Sequence, residues 1–446
     1  MLTRWTFLVL GFVLLTTGLG GCSTGPGAPS RPNVVILFAD DMGYGDLSSY
    51  GHPTIETPNI DRLANQGIRF TSFVTGSWCV PSRTQLLTGR YMPRVDFGGR
   101  TGANGNGGLP ESELTLAEAL SSAGYATGMA GKWHLGHAED RFLPPNQGFD
   151  SWLGLPYSND YRKPWVQTDV PLGLYRGTEM IEHPLKQDSL TVRYTAEATR
   201  YIDAHSGGEQ PFFFYLAYNM PHLPIHTTEE FRGQSDAGLY GDVVETIDWS
   251  VGQVLAALEE QGVADNTIVF FASDNGPWLN LPDRMLQAGN KPWHAGSPGS
   301  LRKYKHTGYE GGARVPAMIR WPGQIEAEVD TDELVASPDI YRTLLNAAGA
   351  DAPDLPLDGH DLMPFLRGET DASPRERYYY FLGDLEAMRE GRWKLRLADD
   401  TTQLFDLRTD PAERFNRADE RPDLVEEMRT QMTAFADSVG AQLPDE

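Results

Sequence analysis

Cysteine and positive charge are both scarce. Only two of the 446 residues are cysteine, Cys22 and Cys79, which excludes a fold stapled by several disulfides. Lys and Arg total 37 against 61 Asp and Glu, and the formal net charge of -24 sets most of the surface against a phosphate backbone, excluding nucleic acid as a partner. An anionic small substrate would instead need a local cluster of cations, a metal ion among them. There is no internal repeat. The apolar run from Trp5 to about Leu15 is too short and wrongly flanked to span a bilayer. What remains is ordinary: 40% hydrophobic and 11% aromatic residues, enough chain for one large α/β domain and a smaller one.

The N-terminal stretch MLTRWTFLVLGFVLLTTGLGGCSTGPGAPS has one arginine, that short apolar run, small residues and a Ser/Gly/Pro tail, the layout of an export signal. Leu19-Gly20-Gly21-Cys22 resembles a bacterial lipobox, in which the cysteine is lipidated and becomes the new N-terminus. Residues 1–22 are then an export signal and 23–32 a flexible tether. The expectation is an exported lipoprotein, anchored to a membrane through Cys22 and facing the periplasm or cell surface. Cys79 is left alone, with no disulfide partner.

Structure is predicted to begin at NVVILF (33–38), a continuous apolar run of the kind that forms a strand buried on both faces; FFFYLA (212–217) and TIVFFA (267–272) repeat it. NIDRLANQG, TLAEALSSAG and GDVVETIDWSVGQVLAALEEQG read as helices with cap or stop residues between them. The alternation predicts an α/β fold, a mostly parallel sheet with helices on both faces. From about residue 370 the texture changes to short antiparallel strands (RYYYFL, EAMREGRWKLRLA, TQLFDL) and a closing helix, a small α+β subdomain.

Each apolar run leads directly into polar residues: Asp40-Asp41 after the first, Asn219 to His222 after the second, Asp274-Asn275 after the third. Ligands in open α/β sheets gather beyond the carboxyl ends of strands, so these distant segments can share a site. The Asp40-Asp41 and Asp274-Asn275 pairs offer hard oxygen ligands suited to Mg²⁺ or Ca²⁺, and equally well make turns. Lys132 and His134 in GKWHLG point to one face if the segment is extended. Taken singly, these residues, His222 and Lys305 also read as surface charges or structural histidines.

Cys79-Val80-Pro81-Ser82-Arg83, continued by Leu87-Thr88-Gly89-Arg90, matches the C-x-P-S-R-x-x-x-L-T-G-R signature of the type I sulfatases. ADDMGYGDL, TPNIDRLANQGIRFTSF, GYATGMAGKWHLG, FLPPNQGFD, SDNGP and YEGGARVPAMIRWPG follow the order seen in that family. GGLPESELTLAEAL and GLPYSND most resemble its arylsulfatase A branch. The resemblance implies an alkaline-phosphatase-like large mixed, mostly parallel sheet, with a catalytic domain at 33–369 and the C-terminal subdomain at 370–446. It implies that Cys79 is oxidised by a maturation enzyme to Cα-formylglycine, whose hydrate attacks sulfur and is released by a second deprotonation. It implies Ca²⁺ bound by Asp40, Asp41, Asp274, Asn275 and residue 79. Arg83 orients the diol, Lys132 and Lys305 clamp the sulfate, His134 is the base, His222 the acid and Ser158 a minor substrate contact.

Lys303, Tyr304 and His306 depart from the glycines many relatives carry around the last lysine, which bears on the pocket rim. Trp278, Asn104, Asn106, Asn159, Arg162, His226 and His294 are further candidates for reading substrate. The expected substrate is a sulfated small molecule or glycan. The alternatives are a phosphomonoester or phosphonate hydrolase of the same superfamily and a non-catalytic surface glycan-binding lipoprotein.

Overall fold

A computed structural model describes residues 31–398 and 401–444. The export signal, most of the tether and Cys22 lie outside the described residues. Arg31–Glu446 forms one compact unit.

The first apolar run becomes the strand Asn33–Ala39, buried along its whole length. Its alternate residues enter two cores: Val34, Ile36 and Phe38 pack on one face of the sheet, Val35, Leu37 and Ala39 on the other. That is why the run shows no polar alternation. It lies between Phe212–Ala217 and Thr267–Ser273, parallel to both. Ala126–Lys132 and Ser151–Leu155 extend the parallel set past Phe212–Ala217. Five antiparallel or edge strands complete a ten-stranded sheet. Its order is 329–331, 68–70, 317–320, 267–273, 33–39, 212–217, 126–132, 151–155, 174–176 and 179–182.

Helices cover both faces. Leu190–His205 and Gly238–Glu260 bury Leu190, Tyr194, Val243, Ile247 and Val251 against one side. Leu116–Ser122 and Ser337–Ala348 cover the other. The threonine cap expected from TLAEAL is present: Thr115 Oγ1 accepts from Glu118 N at 3.0 Å, and Glu118 Oε2 accepts from Thr115 N at 2.7 Å. Such a box contributes about 1 kcal/mol.

The C-terminal strands Arg377–Leu382, Asp384–Glu390, Trp393–Ala398 and Thr401–Asp406 form an antiparallel meander, on which Met428, Met432 and Ala436 of helix Pro422–Val439 pack. A buried ion cluster ties this sheet to the rest. Glu310 meets Lys394 Nζ at 2.9 Å, Arg389 at 3.4 Å and Arg314 at 3.7 Å, and Lys394 reaches Glu413 at 3.0 Å.

Candidate active site

Four neighbouring strands of the parallel set deliver chemistry at their carboxyl ends. Asp40 and Asp41 follow 33–39, Lys132 ends 126–132, His222 follows 212–217, and Asp274 and Asn275 follow 267–273. Cys79 arrives from outside the sheet as the first residue of the helix Cys79–Thr88, which is buried throughout. Arg83 stands one turn later, so its side chain shares the face of Cys79. This settles the placement of a thiol beside polar residues: the helix starts at Cys79 itself and aims its N-terminal end into the cluster.

The thiol is surrounded. Cys79 Sγ donates to Asp40 Oδ1 at 3.4 Å, and the ammonium groups of Lys132 and Lys305 approach it at 3.3 and 3.4 Å. Lys132 donates to Asp40 Oδ2 and Lys305 to Asp41 Oδ1, each at 2.6 Å. Arg83 donates through Nε and Nη2 to Asp274 Oδ2 at 3.2 and 2.9 Å, and through Nη1 to Lys132 O at 2.8 Å. Ser158 Oγ is 3.5 Å from Lys132 Nζ and 3.3 Å from His222 Nε2, which lies 3.7 Å from Asp41 Oδ2.

Electrostatics follow from that crowding. Burial alone would raise Asp40, but Lys132, His222, Arg83 and Lys305 override it and hold the carboxyl well below its ordinary range. Burial pushes the Cys79 thiol up, reinforced by Asp274. Burial, with Lys132 and Arg83 beside it, holds His134 well below 6.5, so it is neutral and able to accept a proton. Burial also lowers His222, opposed by Asp41.

A cation would fit here. One atom each from Asp40, Asp41, Cys79 and Asp274 lie within 4.8 Å of one another. Asp41 Oδ2 and Asn275 Oδ1 are buried acceptors without a hydrogen-bond partner, an expensive condition that a hard divalent ion removes. Asp41 and His134 both take left-handed backbone, φ 66 in each case, a conformation that costs non-glycine residues about 1–3 kcal/mol and clusters at functional sites. For His134 this corrects the sequence expectation. It reaches the cleft because the chain turns after Lys132, with Trp133 and His134 N–H groups bound to Leu155 and Pro156 carbonyls, and not by alternation along an extended strand. The close strand approach is possible because residue 131 is glycine: a Cβ there would lie 1.7 Å from Ala217 O.

Cys79, His134, Ser158, His222 and Lys305 face an open cleft of about 520 Å³. Among the candidate substrate readers, Trp278 and Asn104 line it. Asn159 does not; its amide donates to Gln187 Oε1 and Pro224 O. Asn106, Arg162, His226 and His294 also stand away from the cleft wall. Sequence reading missed Asp160, Tyr161 and Arg284, which line it, as does His306, expected from the sequence to bear on the pocket rim. Only the first two lay beside a recognised motif.

Residues 32–350 match the sulfatase family, and residues 303–438 match the family described as N-sulphoglucosamine sulphohydrolase, C-terminal. The chain belongs to the sulfatase family. It is a sulfuric ester hydrolase. The sulfatase is 39% identical to arylsulfatase A of Bos taurus over 89% of this chain and 85% of that one. It is 39% identical to N-acetylgalactosamine-6-sulfatase of Sus scrofa over 88% and 75%. Among solved structures it resembles the PsFucS1 sulfatase from Pseudoalteromonas sp., with TM-score 0.82 and 26% identity, covering 92% of this chain and 91% of that one. Among the described residues no helix is long and apolar enough to cross a membrane.

Proposed function

We propose that this sulfatase hydrolyses sulfate monoesters of a glycan, using Cα-formylglycine derived from Cys79 and a Ca²⁺ held by Asp40, Asp41, Asp274 and Asn275. The observation that carries the reading is the convergence of a buried thiol, three carboxylates and three cationic side chains from segments more than two hundred residues apart. Asp40, Asp41 and Asp274 balance Arg83, Lys132 and Lys305 in number. A divalent ion therefore leaves the cluster positive enough for a sulfate ester inside a chain of net charge -24.

The ion supplies Lewis-acid charge when bound, and the aldehyde hydrate supplies the attacking hydroxyl and a second one whose deprotonation frees sulfate. This chain's residues do the rest. Arg83, pinned to Asp274 and to Lys132 O, fixes the helix end that carries residue 79. Lys132 and Lys305 converge on Sγ, the position a diol oxygen takes after maturation, and hold the sulfate oxygens beside it. His134 removes the proton that lets the C–O bond break. His222 delivers a proton to the departing alcohol; burial lowers it, and both Asp41 and the incoming anion favour its charged form. Ser158, between Lys132 and His222, contacts the ester.

The sugar assignment draws support from the relatives, one of which is named an N-acetylgalactosamine-6-sulfatase. Export and anchoring through Cys22 belong to the same reading and rest on the N-terminal sequence. Turnover of 4-nitrophenyl sulfate is measured for wild type and Cys79→Ala, each coexpressed with a maturation enzyme. Loss of activity in the variant is expected; equal activities would refute the nucleophile. A matched aryl phosphate turned over faster than the sulfate would move the enzyme to the phosphoester branch.

A further inference from the structure

Beyond the catalytic cluster, the same cleft holds a buried carboxylate that the reaction does not use. Asp160 is 2% exposed and lines the cleft, and its Oδ1 has no hydrogen-bond partner. Its Oδ2 lies 3.6 Å from Arg284 Nη1, which also donates to Trp165 O at 3.0 Å and to Met285 Sδ at 3.3 Å. Arg284 lines the cleft too and is 43% exposed. The guanidinium lies 6.0 Å from the ring of Trp278. That indole in turn stands 5.5 Å from the His222 ring and 5.1 Å from Lys305 Nζ. Tyr161 contributes a second ring, 5.7 Å from that of His134. The arrangement is therefore a carboxylate, a guanidinium and two aromatic rings immediately outside the sulfate-binding groups.

We propose that Asp160 and Arg284, with Trp278 as a packing surface, read free hydroxyls on the sugar ring that carries the scissile sulfate. The proposal rests on the sulfatase reading and deepens it, naming a polyhydroxylated ring over a flat aryl group as the preferred substrate. The chemistry selects that class. A buried carboxylate oxygen lacking a donor is stabilised by an O–H from the ligand, and a neighbouring guanidinium gives the same ring a donor for an adjacent oxygen. Aromatic side chains offer flat apolar area to the C–H face of a pyranose. An aryl sulfate satisfies the sulfate-binding groups and leaves Asp160 Oδ1 without a donor. A cleft of about 520 Å³ lies within the range of roughly 300–1,000 Å³ usual for small-ligand sites.

The test is a selectivity ratio on the matured full-length enzyme. kcat/KM is measured for 4-nitrophenyl sulfate and for the positional monosulfates of galactose, glucose and N-acetylgalactosamine. Asp160→Asn and Arg284→Ala are each expected to lower kcat/KM for the best hexose sulfate about 10- to 100-fold more than for the aryl sulfate, the worth of one hydrogen bond to a charged group. Deoxygenating the hydroxyl read by Asp160 should cost the wild type a similar factor and cost Asp160→Ala, which has no side-chain acceptor, nothing further. Equal losses on both substrate classes, or no loss on either, overturns the proposal. If Asp160→Asn fails to fold, the Arg284→Ala ratio decides alone. A wild type that cleaves the aryl sulfate but no hexose sulfate defeats this inference only; one that cleaves neither defeats the sulfatase mechanism beneath it.

Discussion

Glu310→Gln probes the bond between the C-terminal sheet and the catalytic body. The carboxylate is fully buried and accepts from Tyr380 Oη at 2.7 Å besides meeting Lys394, Arg389 and Arg314. Burial would raise it, yet the three cations hold it below its ordinary 4.5. Replacing it leaves Lys394 to Glu413 and takes away the carboxylate that Arg389 and Arg314 meet, and breaking a buried pair from one side costs about 3–5 kcal/mol. Unfolding entropy near 2.1 cal/mol/K per residue gives about 0.9 kcal/mol/K for the unit Arg31–Glu446 unfolding as one. The expected fall in Tm is therefore about 3–6 °C by scanning calorimetry. Because the folded pKa is depressed, the contribution is full above the unfolded value of 4.5 and fades as pH falls through the folded one, so the gap to wild type should close in acid. Adding Arg389→Met removes a buried charge whose carboxylate partner the first substitution has taken away and should recover part of the loss. A Tm change below about 1 °C, or a double variant worse than the two singles summed, refutes the account.

Arg83→Lys keeps the charge and loses the fork that binds Asp274 and Lys132 O, so kcat/KM should fall about 10²- to 10³-fold in steady-state assays, with soluble, folded protein. Chelation with EGTA should abolish turnover and lower Tm, and Ca²⁺ at a hundred times its Kd should return about 2.7 kcal/mol; unchanged melting would speak against the cation. Gly131→Ala, with φ 111 and a Cβ 1.7 Å from Ala217 O, should destabilise by more than about 3 kcal/mol, read as a lower Tm or insoluble expression. Cys22→Ser should move the protein from the membrane fraction to the soluble one and keep kcat/KM within about twofold of detergent-extracted wild type.

The central strands were legible because burial on both faces writes itself as an uninterrupted apolar run, as in NVVILF. Their polar exits, Asp40-Asp41 and Asp274-Asn275, were legible for the same reason: each follows such a run directly. Local chemistry also announced the helix 116–122 through its threonine and glutamate. The hydroxyl-reading side of the cleft was not visible, since Asp160 and Arg284 sit in loops 124 positions apart in number and nothing in either loop's pattern points to the other. The left-handed turn at His134 was equally hidden, because it is imposed by carbonyls from the strand next door. Short sheet members such as 68–70 and 329–331 carry too few residues to show a period.

The central position of Asn33–Ala39 has a price during synthesis. Both of its sheet neighbours lie far downstream, the nearer beginning at Phe212. At about 5–20 residues per second, this apolar strand of the nascent polypeptide waits on the order of ten seconds or longer for its first backbone partner in the sheet. Contacts of such long sequence separation fold slowly, and an unpaired apolar strand is what holdase chaperones bind. Biogenesis, more than the stability of the finished molecule, is where this topology is exposed.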